Sequence, residues 1–400
     1  MTKKDNKVRQ TKSGLFIRLD EEVGLLVYSP YSGLIFLVHP DDIHDTVLWL
    51  EKGDGISPTE VVTKALGIGW KINSPDASFG ATHYLGDREK WDWFRWTTHS
   101  PILINWFLTG KCPLSCQYCD ATDLMRTRPE PTGEEVRRIA ASILSYNPLA
   151  VVLTGGEPLE SQYLEECIKL LYSQTGILVD TNGLYLDKRH VELFKKYNVV
   201  VRISLDSPIP DVNDRLRCVR RNGAKEVETN RVSSLQKALN ALCLCLDKAA
   251  PVSVQTVATY QTIHDLSALG DRLYKLGVRF WRVHLVALPP DNAKNREFNK
   301  QHRVPKEPRD HILNEVIRLR RRWDGMDFQL IDDVSRNSVV IVATDGEYLT
   351  ESNTGHGKIV IDPNNPKAPA LERIFNVVSP DHHAYRYLGD PNLQFRRAVK

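Results

Sequence analysis

The segment Cys112-Pro113-Leu114-Ser115-Cys116-Gln117-Tyr118-Cys119 puts three cysteines on one short loop, with an aromatic residue directly before the last. Three thiolates this close in sequence can hold three irons of a 4Fe–4S cube and leave the fourth iron open. An open iron can bind a small molecule and pass an electron into it. The spacing CxxxCxxC therefore predicts a redox enzyme with one 4Fe–4S cluster on Cys112, Cys116 and Cys119.

Other uses of these cysteines fit the sequence less well. A structural zinc site takes four closed ligands, usually from two pairs, and no second pair lies at a matching distance. An odd total of seven cysteines in 400 residues argues against a disulfide framework. Three unconnected buried thiols remain as an alternative. Cys243 and Cys245 lie in an apolar helical stretch, so we interpret them as small hydrophobic residues.

A chain of 400 residues is long for one core, which predicts two or three domains. With 42% apolar and 26% charged residues, its composition is typical of a globular protein. The net charge of +3 is small, and the group Arg215, Arg217, Arg220 and Arg221 is typical of a solvated face. We therefore do not expect nucleic acid as a partner. The polar first ten residues do not form a signal peptide, and no run of 18 apolar residues predicts a membrane span. We expect a cytoplasmic protein, because reducing conditions keep thiols free.

The chain divides into five zones, namely a polar tail (1–14), a small module (15–70), a connector (71–100), a strand-and-helix repeat (101–290) and a C-terminal extension (291–400). The small module has predicted strands at 15–19, 23–28 and 33–38 and predicted helices at 41–52 and 57–66. It is an α+β, winged-helix-like pattern. A sheet edge with a helix can bind an extended peptide by strand addition, and a purely structural appendage is the alternative.

The repeat alternates strands and helices, which predicts an α/β fold with a parallel sheet. Its predicted strands cover 102–108, 150–153, 177–179, 199–205, 252–259 and 278–288, and helices lie between them. Six such units form a partial (β/α)6 TIM-type barrel. Active sites of such barrels lie on the loops after the strands. The cysteine loop, Gly155-Gly156-Glu157-Pro158, Thr181-Asn182-Gly183 and Asp206-Ser207-Pro208 all fall there.

Three predicted strands carry polar residues in alternation, although parallel strands buried on both faces are normally apolar. These residues are Arg202, Ser204 and Asp206, then Ser253 and Gln255, then Arg282 and His284. Period two puts each set on one face. We expect this face to line a polar lumen that holds a charged ligand; outward-facing residues paired beneath the helices are the alternative.

The cysteine motif with Tyr118, followed by Gly155-Gly156-Glu157-Pro158 after the next strand, resembles the radical S-adenosylmethionine (SAM) superfamily over about 101–290. The resemblance implies a 4Fe–4S cluster on the three cysteines, with SAM chelating the open iron. It implies that Tyr118 lies by the adenine and that Gly155, Gly156 and Glu157 contact the methionyl amine. Further contacts to the methionyl and ribose groups are implied for Asn182, Ser204, Asp206 and, where relatives often carry Asn, Gln255.

The implied chemistry is reductive cleavage of SAM to methionine and a 5′-deoxyadenosyl radical, which removes a hydrogen atom from the substrate. An external one-electron reductant, such as a flavodoxin- or ferredoxin-like protein, is the implied partner. The cofactor performs the bond breaking while the protein binds, orients and shields. The motif assigns no further catalytic side chain.

The flanking zones suggest the substrate. The small module resembles the peptide-recognition domains fused to radical enzymes that modify ribosomally made peptides. The extension has a predicted helix at 308–323 and strands at 328–331, 339–342 and 359–361, an α+β pattern. Residues 342–347 resemble the hairpin that opens the cysteine-rich extension of peptide-maturing relatives. No cysteine follows Cys245, so we expect a degenerate extension without an auxiliary cluster.

We therefore expect a radical SAM enzyme that modifies a peptide or protein, with a precursor peptide as substrate. One alternative is a radical SAM enzyme acting on a nucleotide, RNA or other small metabolite, whose phosphate the arginines would bind. Another is a non-catalytic iron–sulfur protein that binds ligands or transfers electrons.

Overall fold

The computed structural model describes residues 7–11, 14–20, 24–28, 30, 35–38, 82–85, 103–119, 127–219, 233–285, 293–305, 322–323, 326–332, 340–352 and 355–359. Within these ranges no helix has both the length and the apolar character needed to cross a bilayer. The predicted helices at 41–52 and 57–66, and most of the predicted helix at 308–323, lie outside the described residues.

A central parallel sheet organises the chain. Its six middle strands are β6 (Leu103–Phe107), β8 (Ala150–Thr154), β9 (Gly176–Thr181), β10 (Val200–Ser204), β12 (Val252–Ala258) and β13 (Phe280–Leu285). They lie side by side in chain order, and every neighbouring pair is parallel. The predicted α/β sheet of six strand–helix units is therefore confirmed, and each strand matches its predicted segment to within three residues.

The described helices that connect or follow these strands are α1 (Gly133–Ser145), α2 (Leu164–Leu171), α3 (Lys188–Lys196), α4 (Pro210–Leu216), α5 (Ser234–Asp247), α6 (Leu266–Lys275) and α7 (Ala293–His302). Side chains fix where several begin. Thr132 forms a capping box with Glu135 at α1, and Ser233 accepts a hydrogen bond from the backbone of Gln236 at α5. Helix α4, directly after the Asp206 loop, was not predicted from the sequence.

The two faces of the sheet differ as the sequence pattern predicted. Val201, Ile203 and Leu205 belong to the main apolar core, together with the apolar residues of α1, α2, α3, α5 and α6. The alternate residues Arg202 and Ser204 therefore face away from the helices, into the concave side of the sheet. Arg202 forms a two-point ion pair there with Asp180 of β9, with 2.6 Å between Nη2 and Oδ2.

Two further ionisable side chains, His284 and Arg282, lie near Arg202 in this lumen. Burial lowers the pKa of His284 well below its usual value, and the nearby guanidinium groups of Arg282 and Arg202 lower it further. His284 is therefore uncharged at neutral pH. The polar alternation of β10 and β13 thus marks the lumen, as expected.

A second sheet lies at the opposite end from the strand C-termini. It contains β1 (Arg9–Gln10), β2 (Phe16–Asp20), β3 (Gly24–Tyr28), β4 (Ile35–Val38) and β5 (Thr82–Leu85), in that order. The three strands predicted for the small module correspond to β2, β3 and β4. Strand β5 pairs parallel to β4 and β1 antiparallel to β2, and neither was predicted.

This N-terminal sheet packs against the base of the parallel sheet. The Phe16 ring covers Gly176, the first residue of β9, and Arg18 donates a hydrogen bond to the carbonyl of Asn147, three residues before β8. Tyr28 is buried close enough to Arg202, Arg282 and Asp180 for their charges to affect its pKa, which burial raises. The N-terminal sheet therefore closes the lumen from below.

The extension adds strands to both edges of the parallel sheet. Strand β14 (Asp327–Asp332) pairs parallel to β13, and β15 (Val340–Val342) pairs parallel to β6. Strands β16 (Tyr348–Ser352) and β17 (Gly355–Ile359) continue antiparallel from β15. The structure thus gives the hairpin expected at 342–347, but as a continuation of the barrel sheet. Arg128 holds its turn through ion pairs to Asp345 and Glu347.

The contact between Phe16 and Gly176 can be tested with a double-mutant cycle. A Cβ at Gly176 would lie 2.3 Å from two ring carbons of Phe16. We expect Gly176→Ala to destabilise the chain by about 1–3 kcal/mol through overpacking, and Phe16→Ala by about 3–5 kcal/mol. In the Phe16→Ala background the alanine should cost less than about 0.5 kcal/mol, because its steric conflict is gone. Urea unfolding measures these differences.

Gly133→Ala is the control, since its Cβ would lie 3.3 Å from the Tyr163 side chain, a much milder contact that does not involve Phe16. Additive effects of Gly176→Ala and Phe16→Ala would contradict docking of the N-terminal sheet at this point.

Candidate functional site

Backbone hydrogen bonds join the cysteine loop to the Gly-Gly-Glu loop. The amide of Gly156 donates to the carbonyl of Thr109 at 2.8 Å, and the amide of Glu157 donates to the carbonyl of Lys111 at 2.7 Å. Neither glycine has room for a side chain, because a Cβ would lie 2.6 Å from the Thr109 oxygen at Gly155 and 1.9 Å from the Lys111 oxygen at Gly156. Gly155 also has φ +125°, a conformation that favours glycine. The two sequence motifs therefore form one structural unit.

Glu157 is a buried carboxylate at the centre of this unit. Oε1 accepts hydrogen bonds from the Thr181 hydroxyl at 2.6 Å and the Leu159 amide at 3.2 Å, and Oε2 accepts from the Asn182 amide at 2.8 Å. Burial raises the pKa of Glu157 to about 7, although these hydrogen bonds lower it. Glu157 thus ties the Gly-Gly-Glu loop to the Thr-Asn-Gly loop, and Oε2 keeps acceptor capacity for an ammonium group.

The three cysteine thiols lie within electrostatic reach of one another. Burial raises the pKa of Cys112 to about 11 and that of Cys116 to about 12, and Cys119 contributes to both shifts. Cys119 packs beside the apolar cluster of Phe107, Ile341, Ala343 and Leu349, so the extension supports the loop. Cys112 and Cys116 would therefore be protonated without metal and would release protons on binding iron.

No three His, Cys, Asp or Glu side chains in the described part of the chain are gathered closely enough to ligate one ion. That arrangement would be required for a single tetrahedral metal such as zinc. Cysteines of a 4Fe–4S cube each bind a different corner, so their sulfurs stand farther apart.

Tyr118, Asp206 and Arg217 form a buried polar cluster beside the cysteine loop. The Tyr118 hydroxyl donates to Oδ2 of Asp206, and Nη1 of Arg217 donates to the Tyr118 oxygen at 2.6 Å and to Oδ2 of Asp206 at 3.3 Å. Oδ1 of Asp206 accepts from the Val257 amide at 2.9 Å. Both carboxylate oxygens of Asp206 are thus engaged within the protein, and a role in binding ribose stays a prediction.

The other predicted cofactor-binding residues lie at the same rim. Asn182 is 7% exposed, and its Nδ2 group has no hydrogen-bond partner among the described residues. Such an unsatisfied buried donor is expected where a ligand supplies the acceptor. Ser204, the last residue of β10, lies beside Gln255 in the middle of β12, and both are partly exposed.

The structure also shows site residues that the sequence reasoning did not identify. Glu130 accepts hydrogen bonds from the Thr109 hydroxyl and the Gly110 amide, both at 2.7 Å, and so fixes the turn before Cys112. Thr181 supports Glu157. Arg217 was grouped with Arg215 as a solvated face; Arg215 is indeed exposed, but Arg217 is 6% exposed. No local sequence pattern distinguishes Arg217 from Arg215.

Arg217 is buried because its strand pairs with the cysteine loop. Strand β11 (Arg217–Val219) runs antiparallel to β7 (Leu114–Cys116), with Arg217 directly opposite Cys116. Arg220 and Arg221 lie outside the described residues. The predicted arginine group therefore does not act as one surface.

Comparison with known proteins agrees with this site. Residues 106–273 match the sequence family described as the Radical SAM superfamily. This range holds all three cysteines and the loops around them. The radical SAM resemblance that the motif pair predicted is therefore confirmed over residues 106–273.

Individual relatives cover only part of the chain. A GTP 3′,8-cyclase of Clostridium perfringens (strain SM101 / Type A) is 30% identical over 156 residues, which is 38% of this chain and 44% of the cyclase. The antilisterial bacteriocin subtilosin biosynthesis protein AlbA of Bacillus subtilis is 24% identical over 231 residues, which is 54% of this chain and 47% of AlbA. The chain thus spans less than half the length of either relative.

Solved structures share the fold over a longer range. Streptococcus suis SuiB has a TM-score of 0.53 at 14% identity, over 85% of this chain and 82% of SuiB. The protein anSMEcpe, solved with bound AdoMet, has a TM-score of 0.50 at 14% identity, over 69% and 80% of the two chains. Both comparisons confirm the α/β fold.

The cofactors of this superfamily, a 4Fe–4S cluster and SAM, fit the residues present. Three thiols within electrostatic reach of one another match the three cluster ligands. The Asn182 amide donates to Glu157, and its Nδ2 has no partner in the described part of the chain. Which side chains contact each cofactor stays a prediction.

Gly156 tests the coupling between the two loops. The resemblance implies that Gly156 contacts the methionyl amine, so a side chain there should disturb SAM binding. Because a Cβ at Gly156 would strike the carbonyl next to Cys112, we now expect Gly156→Ala to lower iron content as well, from about four irons per chain to less than half of that. Iron and sulfide analysis after anaerobic reconstitution measures this. Gly133→Ala is the control, and full iron in Gly156→Ala would contradict the coupling.

Proposed function

We propose that this chain is a radical SAM enzyme that abstracts a hydrogen atom from a peptide or protein substrate. The observation that carries the proposal is the hydrogen-bonded unit of the cysteine and Gly-Gly-Glu loops. It puts three thiols and the buried carboxylate of Glu157 within electrostatic reach of one another at the C-terminal ends of the sheet strands. Catalytic groups of such folds lie at this edge.

Cys112, Cys116 and Cys119 are the proposed ligands of the single cluster. When bound with SAM and reduced by an external flavodoxin- or ferredoxin-like donor, the cluster supplies the electron that cleaves SAM to a 5′-deoxyadenosyl radical. The remaining work belongs to the protein. The N-terminal sheet covers the lumen at the end opposite the proposed site, where Tyr28 is buried near Arg202 and Arg282.

Glu157 and Asn182 are the proposed contacts for the methionyl end of SAM. Glu157 can accept from the ammonium through Oε2, and Asn182 can donate its free Nδ2 to the carboxylate. Because Gly155 and Gly156 have no side chains, SAM can approach the backbone closely there. Ser204 and Gln255 are exposed enough at the rim to contact the ribose, and Tyr118 is the proposed neighbour of the adenine.

The peptide substrate is supported by the elements outside the barrel. Strand β1 pairs only with Phe16 and Ile17, so the outer edge of β2 beyond Ile17 has no partner strand among the described residues. Such an edge can take up an extended peptide. SuiB, which shares its fold with 85% of this chain, has also been solved with its precursor peptide SuiA, at a TM-score of 0.52. A cytoplasmic location remains part of the proposal.

A nucleotide is the second candidate substrate, because the Clostridium relative is a GTP 3′,8-cyclase. Arginine side chains in the lumen, Arg202 and Arg282, have the chemistry to meet a phosphate. Arg202, however, already forms a two-point ion pair with Asp180. The peptide proposal therefore has the stronger support from the whole architecture.

Cluster-dependent cleavage of SAM is the first test. Reconstituted, dithionite-reduced protein should contain about four irons per chain and release 5′-deoxyadenosine from SAM. Replacing Cys112, Cys116 and Cys119 by serine should abolish both, because no thiolate remains to hold iron. Cys243→Ser, a half-buried cysteine of α5, is the control and should retain both. About eight irons in the wild type would instead contradict a single cluster.

Substrate class is the second test. The reduced holoenzyme is incubated with SAM and either GTP or a short peptide encoded beside its gene, and products are followed by mass spectrometry. We expect a mass change in the peptide with matching 5′-deoxyadenosine, and unchanged GTP. Arg215→Glu should leave peptide turnover within about twofold, since its exposed guanidinium has no role in backbone pairing. If the enzyme converts GTP, and Arg215→Glu loses this activity in a salt-dependent way, the nucleotide proposal replaces the peptide proposal.

A further inference from the structure

Arg217 is a buried cation next to a proposed cluster ligand. It lies opposite Cys116 in the short β7–β11 ladder, and its side chain is 8% exposed. Burying a guanidinium costs several kcal/mol unless nearby anions and hydrogen bonds compensate. Within this pocket Asp206 supplies one carboxylate at 3.3 Å, and the Tyr118 oxygen lies at 2.6 Å.

The direction of its electrostatic effect follows from the ladder. Arg217 and Cys116 are a directly opposed pair of this antiparallel ladder, so their side chains lie on the same face with Cβ atoms about 4.5–5.5 Å apart. The positive charge of Arg217 therefore lies on the side of the ladder that carries the Cys116 thiol, and it favours negative charge there.

We propose that Arg217 raises the reduction potential of the cluster bound to this loop. A cube with three thiolate ligands is anionic and becomes more so when it gains an electron, so a fixed cation beside it stabilises the reduced form more than the oxidised form. Charge and hydrogen bonding around the sulfurs are known determinants of cluster potentials. The inference rests on the proposed function, because it assumes a cluster on Cys112, Cys116 and Cys119.

Tyr118 and Asp206 act in this scheme as positioning residues. Their oxygens hold the guanidinium at a fixed place, and Asp206 is itself fixed by the Val257 amide. A fixed charge in a buried pocket is screened little by salt, unlike a charge on the surface. The effect of Arg217 should therefore persist at high ionic strength.

The test is an EPR-monitored redox titration of the reconstituted protein without SAM. Arg217→Met should lower the equilibrium constant for cluster reduction at least tenfold, which is about 59 mV for one electron. Arg217→Lys keeps the charge and should stay within threefold of wild type. Arg215→Met, two residues earlier and exposed, is the matched control and should show no shift. The shift in Arg217→Met should be the same at low and high salt.

Asp206→Asn should shift the reduction potential in the opposite direction. It is the alternative test if Arg217→Met does not bind iron. Removing the carboxylate leaves the charge of Arg217 unopposed, so the potential should rise. If both variants bind iron, unchanged potentials in both would overturn the proposal. If Arg217→Met does not bind iron, an unchanged potential in Asp206→Asn alone would overturn it. Failure of the wild type to hold iron would instead contradict the proposed function.

Discussion

The site depends on the backbone hydrogen bonds between residues 109–111 and 156–157. They join two loops that come from different strands, β6 and β8, and they leave no room for side chains at Gly155 and Gly156. Because Lys111 directly precedes Cys112, the position of the first cysteine follows from this pairing. A loop with three thiols would otherwise have many conformations, and few of them would present a common face to a cluster.

Buried charge is the second constraint, and the structure satisfies it by pairing. Glu157 receives three hydrogen bonds, Asp206 is shared by Tyr118 and Arg217, and Arg202 is matched by Asp180. An isolated ion in such a place would shift its pKa and become neutral. The pairing at Arg217 keeps a guanidinium beside the cysteines, where a solvated arginine would have little effect.

The N-terminal sheet and the site lie at opposite ends of the parallel strands. Phe16 packs at Gly176, where β9 begins, whereas the site is built from Asn182 and the other loops after the strands. Six residues of β9 separate these ends by about 20 Å. A peptide held at the edge of β2 must therefore extend over roughly this distance to reach the radical, which requires a recognition segment separate from the modified residue.

The sequence alone determined the order of strands and helices, the loops that carry the chemistry, and the cluster ligands as candidates. These features are local: the spacing of three cysteines, the glycine pair, and the period-two alternation at Arg202 and Ser204. Tertiary structure decided which polar residues meet. Arg215 and Arg217 are the same residue type two positions apart, yet Arg215 is solvated and Arg217 is buried. Arg217 is buried because β11 pairs with β7, which lies more than 90 residues earlier in the chain. Such pairing depends on the packing of the whole barrel, and no local pattern encodes it.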